Sequence, residues 1–236
     1  MMRIKGVMAS SGIAVGKAYV LKKADVIGTV SEERPREIYT EIEKIKNAGN
    51  LLKERFSQIK NLLPPGEQEI IEAQLLIIDS IVSEALELIS SSGYSAAYAV
   101  RKIYEKYSEM LKQSSELFAL RSQDLRDIAS RLISLIRGQE RSVTIKYNIL
   151  LSDEIDPIEL LEYVNSGIRG LATRTGGVTS HTAILARLKG IPYIITSSLD
   201  VNSVEDGANI IVDALNGYLI IHPKTEELKR YAALAE

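Results

Sequence analysis

The sequence predicts a two-part fold: an α/β domain formed by residues 1–30 and 141–236, interrupted by an all-α segment over residues 31–140. Three observations predict it. A strand pattern with small residues runs over 12–22, helical periodicity follows as far as Gly138, and strand patterns then return. Because the first strand is too short to fold alone, we expect it to join the sheet of the C-terminal part, which makes the helical segment an insertion.

Composition narrows the class of protein. The 236 residues are 45% hydrophobic, enough to bury one large core or two small ones. With 29 basic and 31 acidic residues, the chain lacks the basic excess typical of nucleic-acid binding. The absence of cysteine excludes disulfides and thiolate chemistry, and two histidines disfavour a soft metal site. Neither a signal peptide nor a run of membrane-spanning length occurs, so we expect a cytoplasmic protein with no membrane partner.

Four amphipathic helices are predicted in the inserted segment. The first starts near residues 31–35 and ends at Pro64; the second covers about 67–90, the third reaches Phe118, and the fourth covers about 122–136. Their apolar stripes are Ile38, Ile42, Ile45, Leu52, Phe56 and Ile59; Ile70, Ile71, Leu75, Ile78, Val82, Leu86 and Ile89; Ala96, Val100, Ile103, Tyr107, Leu111 and Phe118; and Leu125, Ile128, Leu132 and Ile136. Short breaks between them predict antiparallel neighbours, either a bundle or two stacked hairpins.

Strands and short helices alternate after Gly138. The patterns predict strands at 143–151, 168–172, 191–195, 209–213 and 218–221, and helices at 157–164, after residue 180, and at 224–236. Asn216 and Gly217 predict a hairpin turn between the last two strands. His222 follows the last strand and is predicted to be an exposed turn residue.

The most informative stretch reads GGVTSHTAILAR over residues 176–187. Gly176 and Gly177 permit backbone angles and close approaches that other residues resist. Thr179 and Ser180 are both good helix N-caps. The pattern therefore predicts a tight glycine loop that leads into a short helix.

His181 stands at the start of that predicted helix. A helix N-terminus favours an anion, and Arg187, one to two turns later, offers a further positive charge. An imidazole has a free lone pair near neutral pH, so His181 is a candidate nucleophile for phosphoryl transfer. The same residues are also compatible with an ordinary loop-to-helix entry that carries a surface histidine, and residue chemistry alone leaves both interpretations open.

The whole string resembles the phosphohistidine signature of the phosphoenolpyruvate-utilising enzymes. This family includes enzyme I of the bacterial sugar phosphotransferase system, pyruvate phosphate dikinase and phosphoenolpyruvate synthase. The resemblance implies that His181 is phosphorylated on a ring nitrogen, that Arg187 lies near the phosphate, and that Thr179 and Ser180 shape the loop with the two glycines. It also implies a hydrogen-bond partner for the second ring nitrogen near Asp156, where the family tends to carry threonine.

Two further stretches are similar to the N-terminal half of enzyme I: GIAVGKA at 12–18 and DLRDI at 124–128. Their order favours enzyme I over the dikinases. The resemblance then implies a swivelling β/β/α phosphohistidine domain with an inserted four-helix subdomain. It implies a phosphotransferase that takes phosphate from phosphoenolpyruvate and passes it to an HPr-like carrier docked on the helices. The alternatives are a swivelling domain of a dikinase or synthase relative, and a non-catalytic interaction module of the same fold.

In enzyme I, phosphoenolpyruvate and Mg²⁺ bind on a TIM-barrel domain, a fold of roughly 250 residues. We expect this chain to lack that domain and to bind no cofactor itself, so that it is incomplete as an enzyme. The expected partners are an HPr-like carrier and the phosphoenolpyruvate-binding barrel. The chain departs from the enzyme I pattern in the second helix, where Glu72, Ala73 and Gln74 replace Glu-Gly-His. A second departure is Arg174 shortly before the glycines, where many relatives are acidic.

Overall fold

The computed structural model describes residues 1–112, 117–139 and 146–235, with the side chains of 117–121 left out of the description. The chain divides into two compact units. One is discontinuous, Met1–Lys23 with Ser142–Glu236, and the other is Ala24–Arg141. Within the described ranges, no helix combines the length and the apolar character needed to cross a membrane.

The described residues of the discontinuous unit form a mixed sheet of eight strands in the order β1-β8-β7-β3-β4-β5-β6-β2. The strands are β1 Met2–Lys5, β2 Val7–Ser10, β3 Ile13–Leu21, β4 Ile149–Ser152, β5 Gly170–Thr173, β6 Tyr193–Ile195, β7 Asn209–Asp213 and β8 Tyr218–Ile221. The pairs β3–β4, β4–β5 and β5–β6 are parallel and the others antiparallel. As predicted, the N-terminal strand joins the C-terminal sheet.

Strand β3 changes partner along its length. Residues 13–17 pair with β7, and residues 18–21 pair with β4. At the change, Asn148 Oδ1 accepts the backbone N–H of Lys17 at 3.0 Å. A Cβ on Gly16 would overlap that amide oxygen, so the sequence needs glycine there. Because of this change of partner, one nine-residue strand pairs with both the antiparallel and the parallel part of the sheet.

Among the described residues of this unit, three α-helices pack on the sheet: α5 Pro157–Asn165, α6 His181–Leu188 and α7 Thr225–Leu234. Helices α5 and α6 share one buried cluster with β4, β5 and β6, whereas Tyr231 of α7 packs on β7 and β8. Since β4, β5 and β6 are parallel, their carboxyl ends meet at one edge of the sheet, the usual place for a site in such sheets. The glycine loop leaves β5 at this edge.

The other unit contains α1 Ile38–Leu62, α2 Gln68–Ser92, α3 Ala96–Lys112 and α4 Leu117–Ile136. Consecutive helices pack together and α1 also packs on α4, so the four helices form a bundle. Its buried residues include Ile45, Leu52, Phe56, Ile59, Ile71, Ile78, Ile81, Ile89, Val100, Ile103, Leu125, Ile128, Leu132 and Ile133. Buried Glu41 of α1 caps α3, because its Oε2 accepts the N–H of Ala96 at 2.8 Å.

Several sequence-based predictions for the helical unit were wrong in detail. The first helix begins at Ile38 and not near residues 31–35, where the carbonyl of Glu33 accepts the N–H of Ser95 at 2.8 Å instead of a helical N–H. Phe118 belongs to α4 and not to the third helix. Ile70 is 47% exposed, so the buried seam of α2 passes through Ile71 instead. Residues 24–30 belong with the helices and not with the sheet: for example, Arg137 Nη1 donates to Thr29 Oγ1 at 2.8 Å.

The strand predicted at 143–151 is shorter than expected. It begins at Ile149, after Asn148 has turned its side chain to β3. Residues 143–145 lie outside the described residues. The hairpin at Asn216–Gly217 is confirmed, since β7 and β8 pair antiparallel on either side of it.

Candidate active site

The loop after β5 is fixed to the end of β4 before it reaches the glycines. Asp153 O accepts both the backbone N–H and the hydroxyl of Thr175, at 2.9 and 3.0 Å. Arg174 Nε donates to Asp153 Oδ1 at 2.8 Å, and this hydrogen bond and the carboxylate charge raise the pKa of Arg174. The extra positive charge noted in the sequence is therefore paired with a carboxylate that follows β4.

Gly176 adopts a conformation that favours glycine, with φ of +147°. A Cβ there would lie 3.0 Å from the hydroxyl of Tyr193 and 3.4 Å from Ile195 Cδ1. The next residue, Gly177, lies outside the positive-φ region and a Cβ on it would meet only Ser180, at 3.9 Å. Of the two glycines, Gly176 is the one that the backbone and its neighbours require.

Ser180 is the N-cap of α6. Its Oγ accepts the N–H of Ala183 at 3.2 Å, its carbonyl accepts the N–H of Ile184 at 3.0 Å, and its own N–H donates to Gly177 O at 3.0 Å. Thr179, the other candidate cap in the sequence, is exposed in the preceding turn. The cap fixes the direction in which the first helical residue leaves the loop.

His181 is that first helical residue, and its side chain is only partly exposed. The Nε2 atom of its ring is buried from solvent. A phosphoryl group can therefore reach Nε2 only after the ring rotates or the loop shifts. The second candidate histidine, His222, is exposed directly after β8 in a left-handed conformation, with φ of 52°.

The start of α6 is tied to the loop that precedes α5. Thr182 Oγ1, one residue after the histidine, donates to Ile155 O at 2.9 Å. Asp156 follows and closes a capping box with Glu159: its Oδ1 accepts the Glu159 N–H at 2.8 Å, and Glu159 Oε2 accepts the Asp156 N–H at 3.1 Å. The contact between the imidazole and the Asp156 region that the resemblance implied stays a prediction.

Arg187 braces the loop. Its Nη1 donates to Val178 O at 3.0 Å and to Ala9 O of β2 at 2.6 Å. The side chain thus joins α6 to the loop that precedes it and to β2, which is distant in sequence, and it is exposed enough to meet a ligand. Its role toward phosphate stays a prediction.

The structure also reveals a pair of residues that the sequence did not single out. Thr173, the last residue of β5, and Tyr193, the first of β6, join their hydroxyls at 2.7 Å directly beneath Gly176. The sequence feature that could have pointed to this pair is a tyrosine in an otherwise aliphatic buried strand, because a buried phenol needs a polar partner.

The site combines His181 at a helix start with a glycine loop that is hydrogen-bonded to the end of β4, to Thr173 and to Arg187. Arg174 and Arg187 are the arginines beside this loop. In the part of the chain that is described, His, Asp and Glu side chains form no cluster suited to a metal ion. The residues present can hold and stabilise an anion on a nitrogen nucleophile.

Two family models match the chain one after the other. Residues 5–121 match the model of the PEP-utilising enzyme N-terminal domain, and residues 145–217 match that of the PEP-utilising enzyme mobile domain. The chain is 30% identical over 241 residues to a phosphoenolpyruvate-protein phosphotransferase of Borreliella burgdorferi, and 28% identical over 241 residues to one of Bacillus subtilis. Each match takes in 98% of this chain but only 42% of the relative's length.

Solved structures give the same result. A solution structure of an Enzyme I protein is 27% identical with a TM-score of 0.67, over 98% of this chain and 97% of that one. The N-terminal domain of a nitrogen-type Enzyme 1 has a TM-score of 0.75 at 21% identity, over 98% of both chains, and shows the shared fold. With the two family models in order along its length, the chain belongs to the PEP-utilising enzyme family, of which it carries the N-terminal and mobile domains.

Proposed function

We propose that the chain relays a phosphoryl group through His181, between a phosphoenolpyruvate-derived donor and an HPr-like carrier protein. The observation that carries the proposal is the capped helix start, where Ser180 and the glycine loop hold a histidine at the carboxyl edge of the parallel part of the sheet. The names of the curated relatives support the same activity. Because the chain spans less than half of their length, donor and acceptor both belong to the proposal.

The chemistry asks for a neutral imidazole. One ring nitrogen attacks phosphorus through its lone pair while the bond from phosphorus to the donor atom breaks, and the leaving donor takes the electron pair. The other nitrogen holds the ring proton. Transfer to the carrier reverses these steps. The protein contributes position and charge: the N-terminal dipole of α6 and Arg187 offset the added negative charge.

In this proposal the helical unit docks the carrier through α2. This helix contains five acidic residues, Glu69, Glu72, Asp79, Glu84 and Glu87, and no lysine or arginine. It also exposes Ile70 and Leu76, the latter by 68%. An acidic helix with exposed apolar side chains suits a partner with a basic rim around an apolar patch.

Two acidic residues of α2, and Gln74, which departs from the enzyme I pattern, have partners within the helical unit. Glu72 pairs with Lys60 at 2.6 Å and Asp79 pairs with Lys53 at 2.8 Å. Gln74 Nε2 donates to the carboxylate of Asp124 on α4 at 2.8 Å. These pairs moderate the acidity of α2, and we propose a carrier matched to this altered surface.

The discontinuous unit would then be the swivelling phosphohistidine domain, which carries His181 from the donor to the docked carrier. The donor site, with its Mg²⁺, would lie on a phosphoenolpyruvate-binding domain that supplies the phosphoryl group. The buried position of Nε2 agrees with a histidine that becomes reactive only after a local rearrangement.

The test is phosphoryl uptake from a phosphorylated HPr-type carrier, followed by intact-mass spectrometry. We expect an acid-labile gain of one phosphoryl group that is lost in His181→Ala and retained in His222→Ala. The second variant is a matched control, because these are the chain's two histidines. Phosphoenolpyruvate with Mg²⁺ alone should add nothing to the chain.

Uptake that survives in His181→Ala would place the phosphoryl group elsewhere and refute the proposal. No uptake from any carrier by the folded protein would favour the alternative, a non-catalytic module of the same fold.

A further inference from the structure

Tyr193 lies beneath the glycine loop and is 1% exposed. Burial raises the pKa of its phenol, which therefore stays protonated at neutral pH and can act as a hydrogen-bond donor. Its hydroxyl lies 2.7 Å from Thr173 Oγ1. The donor in this pair follows from the next bond: Thr173 has one hydroxyl proton and donates it to Thr175 O at 2.8 Å. Tyr193 must therefore donate to Thr173.

The result is a directed chain of two hydrogen bonds, from Tyr193 through Thr173 to the backbone of the loop. It ends one residue before Gly176, where a Cβ would lie 3.0 Å from the same phenol oxygen. The phenol thus acts on the loop in two ways, through the threonine and by limiting the space at Gly176. Because the loop continues into the Ser180 cap, its position sets where the helix begins.

We propose that Tyr193 is a positioning residue for phosphoryl transfer: with Thr173 it fixes the floor of the glycine loop and so sets where the start of α6 places His181. The inference rests on the proposed function of His181. It predicts that loss of one buried hydroxyl, in a different unit of the chain from the proposed docking helix, slows transfer without weakening carrier binding.

The test compares Tyr193→Phe with Tyr163→Phe. Both tyrosines lie in the same buried cluster, but Tyr163 packs against Tyr19, with ring centroids 5.8 Å apart, and not against the loop. For Tyr193→Phe we expect kcat of uptake from the phosphorylated carrier to fall about five-fold, the scale of one lost hydrogen bond, with KM unchanged. Tyr163→Phe should leave both constants unchanged.

A double-mutant cycle with Thr173→Val tests whether the two hydroxyls act together. If they form one chain, the double variant transfers no more slowly than Thr173→Val alone. The inference would be overturned if the kcat losses of the two single variants multiply in the double variant. It would also be overturned if Tyr193→Phe has the same kcat as the unmodified chain.

A second readout needs no phosphoryl transfer. Amide ¹H–¹⁵N shifts of Gly176 and Gly177 and the ring resonances of His181 should move in Tyr193→Phe but not in Tyr163→Phe. If the unmodified chain takes up no phosphate, the proposed function fails while the shifts still decide the positioning role. If these chemical shifts do not change while the unmodified chain still takes up phosphate, the positioning role of Tyr193 is refuted and the proposed function of His181 stands.

Discussion

Replacing each loop glycine by alanine gives the sharpest test of how the site is built. Gly176 has φ of +147°, where non-glycine residues are strained by about 1–3 kcal/mol. Its new Cβ would also lie 3.0 Å from the Tyr193 hydroxyl, tighter than an ordinary contact. We therefore expect Gly176→Ala to destabilise the loop by about 2 kcal/mol, which is roughly a 30-fold change in its opening equilibrium.

Gly177→Ala is the matched control. Its backbone lies outside the positive-φ region, and the nearest atoms to a new Cβ belong to Ser180, 3.9 Å away. Alanine at such a position is neutral or stabilises by up to about 1 kcal/mol, because it restricts the unfolded chain. Each variant adds one methyl group, and the two positions are adjacent in the chain.

Hydrogen-exchange mass spectrometry of peptides that cover 170–190 measures the effect locally, which avoids assuming that two units unfold as one. Exchange in α6 should accelerate about 30-fold in Gly176→Ala and by less than about three-fold in Gly177→Ala. Phosphoryl uptake should be at least about ten-fold slower in the first variant only. Equal exchange in both variants would refute the argument from the backbone of Gly176.

Three further predictions concern the surroundings of the loop. Ser180→Ala removes the cap and should cost about 1 kcal/mol of local stability, seen as faster exchange in α6, whereas Ser180→Asn should restore it. Arg187→Met removes both carbonyl contacts and should broaden the amide resonance of Val178; an unchanged resonance would count against the brace. Asp213 is buried, and although burial raises the pKa of its carboxyl, hydrogen bonds from Asn216 and Tyr231 outweigh that effect and leave it below its ordinary value. The carboxylate therefore stabilises the fold fully above the unfolded pKa of about 3.9, and this stabilisation is lost as pH falls through the folded pKa. When the melting temperature is measured from pH 7 downward, it should fall further in the unmodified chain than in the Asp213→Asn variant.

Local sequence predicted the loop and its helix well. Gly176, Ser180 and the apolar spacing after His181 act over a few residues, so their effect can be read without the fold. The same holds for the four helices of the inserted unit and for the hairpin at Asn216–Gly217. The start of α1 and the exposure of Ile70 were missed, since periodicity alone does not say which part of a broad apolar face is covered.

What the sequence determined by itself is the glycine loop, the cap and the helix start that carry His181, the candidate nucleophile, because these are local properties of the chain. Tertiary structure alone decided what holds that loop. Arg187 reaches Ala9, 178 residues away, and Tyr193 reaches Thr173 across neighbouring strands. Such contacts depend on strand order and register, which the chain acquires only when distant segments pair and bury their apolar faces together.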